Sequence, residues 1–372
     1  MKLALPVLPK KFKMPYLIPL ILIFLGLIRP KDKWVTILFL FYYWALVGLN
    51  TFTPDYESYQ DKYETLVLLD QYEIGHQALV VVCNFLGLTY QEFRMVYGFL
   101  MASFAFVAVK RLSPYPNYLL ALFLLWPFVG SASGLRQGLA NIIVCCGVPC
   151  LYKEEKKQII KYLLWIALAW SIHQSSLFFL LLLFARCHIG QREKRLILIA
   201  VGVGTFIITS TQLIGNIPFI ANNVVLNKWL NLAGDDSADH QNLAGFMIRA
   251  FFVVCYAILI PMLSSIIRHH AILTQQEDTR LKICSNISLL LLLSIPGYVV
   301  SGEYQRFLYG MLLVYYVVYA EFRFKRFVTI YTNRKQMLLA SFGLILLTAW
   351  YYMFSMTSHD VMATFRDNLL FK

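Results

Sequence analysis

Two arginines at the starts of apolar runs are candidates for binding an anion. Arg136 follows the small and polar segment 131–135, and Arg306 follows the short link 301–305. At a helix N-terminus a cation meets unpaired N–H groups and the positive end of the dipole, so it is favourable there only when an anion shares the site. Arginine binds phosphate bidentately, so both positions suit a phosphorylated ligand. The alternatives are an Arg136 side chain that reaches the lipid headgroups and a simple ion pair between Glu303 and Arg306.

Three ionisable residues are candidates for proton transfer. Asp55 opens a loop and suits a helix N-cap, with Tyr59 one turn further on. Glu73 leads through Gly75 into a short apolar run. His173 lies among polar side chains inside a long apolar run. A carboxylate or an imidazole can take the proton of a sugar hydroxyl, and ionisable groups within a membrane are functional candidates. The structural alternative is a helix cap for Asp55, a solvated loop carboxylate for Glu73 and a packing residue for His173.

Polar and small residues continue beyond Arg136. Gln137 and Asn141 are one helical turn apart and extend a polar strip inward. Gly134 and Gly138 form a pair of small residues at the spacing that lets another helix pack closely.

The elements that position these residues are membrane helices. The chain of 372 residues is 59% hydrophobic and 14% charged, with a mean hydropathy of +0.62, whereas a soluble domain carries about 25% charged residues. We predict an all-α integral membrane protein, a polytopic helical bundle of roughly 10–12 spans with re-entrant or broken helices, in a single membrane domain 1–372. The predicted spans are 15–28, 34–50, 93–109, 117–131, 135–151, 161–185, 196–214, 246–267, 283–301, 306–321 and 336–354.

The distribution of basic residues sets the predicted orientation. The net charge of +13 comes from clusters in short loops, which is a topology signal and not a nucleic-acid footprint. The basic loops are expected on the cytoplasmic side, and the loops 51–76 and 215–245 on the outer side. The acids of the second loop (Asp235, Asp236 and Asp239) lack recognisable calcium-ligand spacing, which favours a solvated loop.

Two segments conflict with this orientation unless they turn back within the membrane. The run 78–88 is too short to span comfortably, and 161–185 separates two loops that are both predicted to be cytoplasmic. A break at 171–176 would make two half-helices. Non-helical backbone at membrane depth is tolerated when it lines a wet cavity, so both segments predict a hydrated cavity.

The seven cysteines lie mostly in apolar runs and show no zinc-ligand spacing. We expect them to be small packing residues, and we expect neither a metal nor a cofactor.

Taken in order, the polar motifs resemble those of the EpsG family, which is similar to the Wzy polymerases of bacterial O-antigen, capsule and exopolysaccharide. The resemblance covers residues 16–320 in order and approximate spacing, and one departure is His76, where the family commonly has an aromatic residue. The motifs are Asp55-Tyr56-x-x-Tyr59, Glu73-x-Gly75, Leu135-Arg136-Gln137 with Ala140, His173-x-Ser175 and Arg306-x-x-Tyr309.

The resemblance implies a membrane glycosyltransferase at the outer face of the bacterial cytoplasmic membrane. It would join oligosaccharide repeat units carried on undecaprenyl diphosphate and release the lipid diphosphate, working beside a flippase and a chain-length regulator. Arg136 and Arg306 would bind the diphosphates, and His173 or Glu73 would be the base. The remaining expected site residues, which position or bind substrate, are Asp55, Tyr56, Tyr59, Gln137, Glu303 and Tyr309.

Two other functions are compatible with the same features. Broken helices around a polar cavity also occur in transporters, so a lipid-linked oligosaccharide flippase is the main alternative. A transporter usually has an internal repeat, and none is evident in the sequence. A non-catalytic scaffold is disfavoured by the number of polar groups in the apolar runs.

Overall fold

Helices account for nearly all of the described chain. The computed structural model describes residues 14–53, 56–66, 73–215, 243–300, 304, 306–328, 333–354, 365 and 368–371. Within these ranges the only β pairing consists of two isolated bridges, Asn50 with Asn368 and Ala271 with Phe327. Asp55, Glu303 and the acidic residues of the loop 215–245 lie outside the described residues.

The first half of the chain forms eight α-helices, followed by a short 3-10 helix, Val148–Tyr152. The second helix begins where the Asp32 carboxylate accepts the backbone N–H groups of Trp34 and Val35, at 2.8 and 3.3 Å. These two N–H groups, that of Val35 foremost, lower the pKa of the Asp32 carboxyl. The helices are α1 (Met14–Ile28), α2 (Lys33–Gly48), α3 (Tyr56–Thr65), α4 (Ile74–Phe85), α5 (Tyr90–Leu112), α6 (Pro116–Leu125), α7 (Phe128–Ser133) and α8 (Leu135–Gly147).

The second half contains seven further α-helices among the described residues and a long 3-10 helix, Gln174–Arg186, which we call the 174–186 helix. Shorter 3-10 segments cover Leu291–Ser294 and Leu369–Phe371. The α-helices are α9 (Lys156–Ile172), α10 (Gln191–Gly215), α11 (Leu243–His270), α12 (Gln275–Leu290), α13 (Gly297–Val300), α14 (Arg306–Phe324) and α15 (Arg334–Phe354).

Four helical segments of the described chain are long and apolar enough to cross a membrane unaided: Tyr90–Leu112, Leu135–Tyr152, Gly245–His270 and Arg306–Phe324. Shorter apolar helices of 10–17 residues accompany them, including α2, α4, α6 and the 174–186 helix. The all-α membrane fold is therefore confirmed. The expected number of 10–12 crossings stays a prediction.

Several predicted spans consist of two consecutive helices. The predicted span 161–185 is interrupted at His173, whose extended backbone (φ −154°, ψ 121°) separates α9 from the 174–186 helix. This is the break expected at 171–176. The predicted single span 117–131 is also divided, because Trp126 is extended (φ −168°) before Pro127 and ends α6. A residue before proline is biased away from the helical region, which explains this second interruption.

Two helices form the centre of the bundle. In the apolar segment that α8 forms with the 3-10 helix after it, 89% of the residues are buried, and in that of α14 83% are, whereas in α5 the share is 44%. Buried tyrosines fasten α14 to its neighbours, since the Tyr316 hydroxyl donates to the Trp126 carbonyl at 2.7 Å. The residues that begin α8 and α14 are therefore fixed by the core of the protein.

The two ends of the bundle differ in their chemistry. We call one the Arg136 end, where α8, α14 and the 174–186 helix begin. The opposite end, the Arg280 end, carries ion pairs between helices: Arg280 with the buried Glu321, Lys325 with Glu277, and Arg268 with Asp278. These pairs join α11, α12 and α14 close to the basic clusters of the sequence.

Candidate active site

The Arg136 guanidinium joins two elements that are distant in the sequence. Arg136 lies in the first turn of α8, as predicted, and its Nη1 donates to Glu73 Oε2 at 2.6 Å. Its Nε donates to the Tyr59 hydroxyl at 2.9 Å. The Arg136 and Glu73 side chains are only 19% and 14% exposed. The anion that we expected beside Arg136 is thus supplied, in this structure, by the protein's own carboxylate.

Glu73 connects α4 to the broken helix. Glu73 is the residue before α4, yet its side chain does not cap that helix. Its second oxygen, Oε1, accepts the backbone N–H of Gln174 at 2.8 Å. Gln174 is the first residue of the 174–186 helix, and the first N–H groups of a helix have no partner within it. The break at His173 therefore exposes a backbone donor that orients the Glu73 carboxylate.

Gly75 allows this arrangement because α4 lies directly against the end of α9. A Cβ atom at Gly75 would come within 2.4 Å of Ser171 Oγ and 2.7 Å of the Ser171 carbonyl oxygen. Both distances are shorter than any ordinary contact. Glycine at position 75 thus permits the close approach of the α4 backbone to the end of α9.

His173 caps the 174–186 helix with its own imidazole. Its Nδ1 accepts the backbone N–H of Ser175 at 3.3 Å and lies 2.8 Å from the Ser175 hydroxyl oxygen. Because a backbone N–H can only donate, Nδ1 is the acceptor and the neutral ring carries its proton on Nε2. His173 is within electrostatic range of Glu73, Arg136 and Arg306. The imidazole thus belongs to the same cluster as both arginines.

Arg306, the first residue of α14, is held against α8. Its Nη1 donates to Gln137 Oε1 at 2.8 Å, and its carbonyl accepts Asn141 Nδ2 at 3.3 Å. One turn further, Cys145 Sγ lies 3.1 Å from the Gly310 carbonyl oxygen. Residues 137, 141 and 145 form one stripe of α8 at a spacing of four, so they fix the register between the two central helices.

Glycines permit this close packing of α14 and α8, although not both of those that we singled out. A Cβ atom at Gly310 would lie 2.9 Å from Asn141 Cγ. A Cβ at Gly138 would lie 2.4 Å from the Ser131 carbonyl oxygen, so Gly138 is tightly packed as predicted. A Cβ at Gly134 would meet nothing within 4 Å. The expectation that Gly134 packs against another helix is wrong, because this residue lies at the open junction between α7 and α8.

The tyrosines expected to bind sugar occupy different places. Tyr59 reaches Arg136, as described above. The Tyr56 hydroxyl donates to Gln91 Oε1 at 3.2 Å, and its ring lies 5.2 Å from the buried Arg94 guanidinium. Tyr309 packs edge-on against Trp126, with ring centroids 5.3 Å apart. The structure therefore brings Tyr59 to the arginine cluster and places Tyr56 and Tyr309 in neighbouring packing layers; their sugar-binding roles stay predictions.

His76 lies beneath the cluster in an aromatic environment. It is only 2% exposed, and its ring centroid lies 5.9–6.3 Å from those of Tyr59, Phe93 and Tyr97. The imidazole therefore takes the place of a ring, at the position where the resemblance described above implies an aromatic residue. Its edge-to-face contacts are those that an aromatic side chain would make.

Arg94 is the polar residue that sequence reasoning missed. It is 1% exposed on α5, donates to the Val47 carbonyl at 3.3 Å, and lies near the rings of Tyr56 and Tyr90. A buried arginine inside a membrane helix is uncommon, and this alone could have drawn attention to it.

The fold and the site define a multi-pass membrane protein with two arginines, a carboxylate and an imidazole clustered at one end of a central helix pair. The sequence model of the EpsG family matches residues 33–368, and the chain belongs to that family. EpsG proteins are Wzy-like polymerases of exopolysaccharide and O-antigen, so this chain is a polysaccharide-polymerase type of membrane protein. No curated protein and no solved structure matches the chain.

Proposed function

We propose that the protein joins oligosaccharide repeat units carried on undecaprenyl diphosphate, at the outer face of the bacterial cytoplasmic membrane. The observation that supports this most strongly is the pair of guanidinium groups at the starts of α8 and α14. Arg136 and Arg306 are connected through Gln137, the neighbour of one and the hydrogen-bond partner of the other. Two fixed guanidinium groups, each in the first turn of a helix and so near the positive end of its dipole, suit a ligand with two adjacent phosphates.

The transfer reaction needs charge stabilisation and one proton acceptor. A hydroxyl of the incoming repeat unit attacks the anomeric carbon of the growing chain, and the bond from that carbon to the diphosphate oxygen breaks. The electron pair leaves with the lipid diphosphate, whose added charge Arg136 and Arg306 neutralise. The hydroxyl proton passes to a base at the site.

Glu73 is the base in this proposal, and bound diphosphate exposes it. In the structure Arg136 Nη1 donates to Glu73 Oε2. A diphosphate carries more charge than a carboxylate and competes for the same guanidinium, which leaves Oε2 available to accept the sugar hydroxyl. Oε1 keeps its bond to the Gln174 N–H and so preserves the orientation of the carboxylate. The site would thus acquire its base when substrate binds.

His173 is a hydrogen-bond donor in this proposal. Its Nδ1 is occupied by Ser175, so the proton on Nε2 is available for an oxygen of the sugar or the diphosphate. Tyr59 and Gln137 complete the surroundings of the two arginines. Asp55, Tyr56, Glu303 and Tyr309 remain proposed sugar contacts.

Surface polysaccharide from a deletion strain tests this function. Loss of the polymerase leaves single repeat units on the surface or on the lipid carrier, and the plasmid-borne chain restores long polymer. Arg136→Ala should leave single units, whereas Arg323→Ala, at the opposite end of α14, should restore full length at equal protein level. Complete absence of exported repeat units in the deletion strain would overturn the proposal and favour the flippase.

A further inference from the structure

A polar cavity lies at the Arg280 end of the bundle, away from the Arg136 cluster. Its volume is about 210 Å³, and it is bounded by α10, α11, α12 and the segment after the 174–186 helix. The first residue of the 174–186 helix donates to Glu73, and its last residue precedes this cavity, so the length of the helix separates the two sites. The lining includes three basic side chains: Lys194, Arg268 and Lys282.

The positive charge in this cavity is only partly neutralised. Arg268 pairs with Asp278 at 2.5 Å. Lys194 and Lys282 have no ion pair with any described residue. The nearest acid in sequence, Glu193, accepts the Gly190 N–H at 2.8 Å and so faces the start of its own helix. Two lysines from different helices therefore line one cavity without a carboxylate between them.

Ser264 is a buried polar residue in the wall of this cavity. It lines the cavity, is 2% exposed, and its hydroxyl has no hydrogen-bond partner in the described part of the chain. Buried hydroxyl groups are almost always hydrogen-bonded, because an unpaired one has lost its water without compensation. The hydroxyl oxygen is itself buried, so rotation of the side chain towards the cavity would be needed to pair it with an acceptor oxygen of a ligand.

Another part of the cavity wall is held in place by Asn286. Its Nδ2 donates to the carbonyl oxygens of Ala185 and Cys187, at 2.8 and 3.0 Å. These bonds fasten the end of the 174–186 helix to α12. These hydrogen bonds therefore fix the position of this part of the cavity wall.

We propose that this cavity binds a phosphate ester through Lys194, Lys282 and Arg268, with the Ser264 hydroxyl donating to a phosphate oxygen. Phosphate offers the charge that the lysines need and the acceptors that the hydroxyl lacks. A water molecule takes roughly 30 Å³ of liquid volume, so the cavity has room for a phosphate with a small ester arm. A soluble phosphorylated compound and a phospholipid headgroup share this chemistry. The proposal does not depend on the polymerase activity at the other end.

The test uses the full chain, purified in detergent and reconstituted in nanodiscs. Thermal unfolding is followed during titration with inorganic phosphate and with glycerol 3-phosphate, against sodium chloride at equal ionic strength. Native mass spectrometry compares retention of phosphatidylglycerol and phosphatidylcholine. The variants are Lys194→Gln with Lys282→Gln, and Ser264→Ala; the matched control is Lys156→Gln with Lys161→Gln, two exposed lysines of α9.

We expect a saturable rise in Tm, as ligand binding to the folded state requires, or selective retention of phosphatidylglycerol. The double lysine variant should bind at least about tenfold more weakly, since each lost partner is a charge-assisted hydrogen bond, and the control pair should match the wild type. Ser264→Ala should weaken binding without lowering the ligand-free Tm. A saturable shift with glycerol 3-phosphate identifies a soluble ester, and lipid retention alone identifies a headgroup.

Two results would overturn the proposal. One is the absence of both a saturable shift and selective lipid retention in the wild-type chain. The other is binding that is reduced equally in the double variant and the control pair, which would indicate a general effect of net charge.

Discussion

Replacing Glu73 by glutamine separates catalysis from stability. The substitution keeps the shape of the side chain but removes its charge and one of its two acceptor oxygens. The substituted amide can therefore accept from Arg136 or from the Gln174 N–H, but not from both. Losing one hydrogen bond to a charged group in a site less than one fifth exposed costs about 1.5–3 kcal/mol.

This loss of stability is too small to account for the loss of activity that we expect. A chain of ordinary stability, about 5–15 kcal/mol, stays almost entirely folded after losing about 2 kcal/mol. Removing a general base lowers the rate by about 10²- to 10⁴-fold. We therefore expect polymer formation per folded molecule to fall by at least two orders of magnitude, about 100-fold, in Glu73→Gln.

The assay is polymer formation by purified protein from lipid-linked repeat units, normalised to folded protein. Glu321→Gln is the matched control, because Glu321 is also buried and paired with an arginine, Arg280, but lies at the opposite end of α14. The control should lose stability and keep its activity per folded molecule. Activity of Glu73→Gln within about threefold of wild type, or an equal loss in Glu321→Gln, would refute the assignment of Glu73 as the base.

Three further substitutions test the site. Arg306→Ala should lower polymer formation by about 10²- to 10³-fold, as the loss of one fixed donor to a developing charge does, whereas Arg323→Ala on the same helix should not; equal rates would contradict a diphosphate role. His173→Asn should keep the helix cap but lower activity, while His173→Ala should also lose about 1 kcal/mol of stability. Equal Tm values for the two variants would refute the capping role. Gly75→Ala should lower the free energy of unfolding by about 1–3 kcal/mol through its clash with Ser171, and Ser171→Gly in the same chain should recover part of this loss. An unchanged Tm in Gly75→Ala would show that α4 does not need to lie so close to the end of α9.

Local sequence features predicted the elements of the fold and the break at His173. The apolar runs located the helices. The distribution of the basic loops predicted a break within 161–185, and the extended His173 confirms that break. The interruption at Trp126 was not predicted, although Pro127 was the available signal. The 3-10 geometry of the 174–186 helix has no signature in its apolar composition, so periodicity could not distinguish it from an α-helix.

The contacts within the site could not be predicted from local features. Glu73 and Arg136 are 63 positions apart, and Glu73 and Gln174 are 101 apart. Their pairing depends on how α4 packs against the end of α9, which Gly75 and Ser171 decide by shape. Sequence reasoning selected Arg136, Glu73 and His173 by type and position, and tertiary packing determines which partner each one binds.

The central proposal is that this chain itself joins lipid-linked repeat units at the Arg136 end. The most direct test incubates purified protein in liposomes with undecaprenyl-diphosphate-linked repeat units and measures polymer length together with released undecaprenyl diphosphate. We predict one released lipid diphosphate for each linkage formed, and neither product with Arg136→Ala. Repeat units that cross the bilayer without being joined, or polymer that forms equally well with Arg136→Ala, would contradict the proposal.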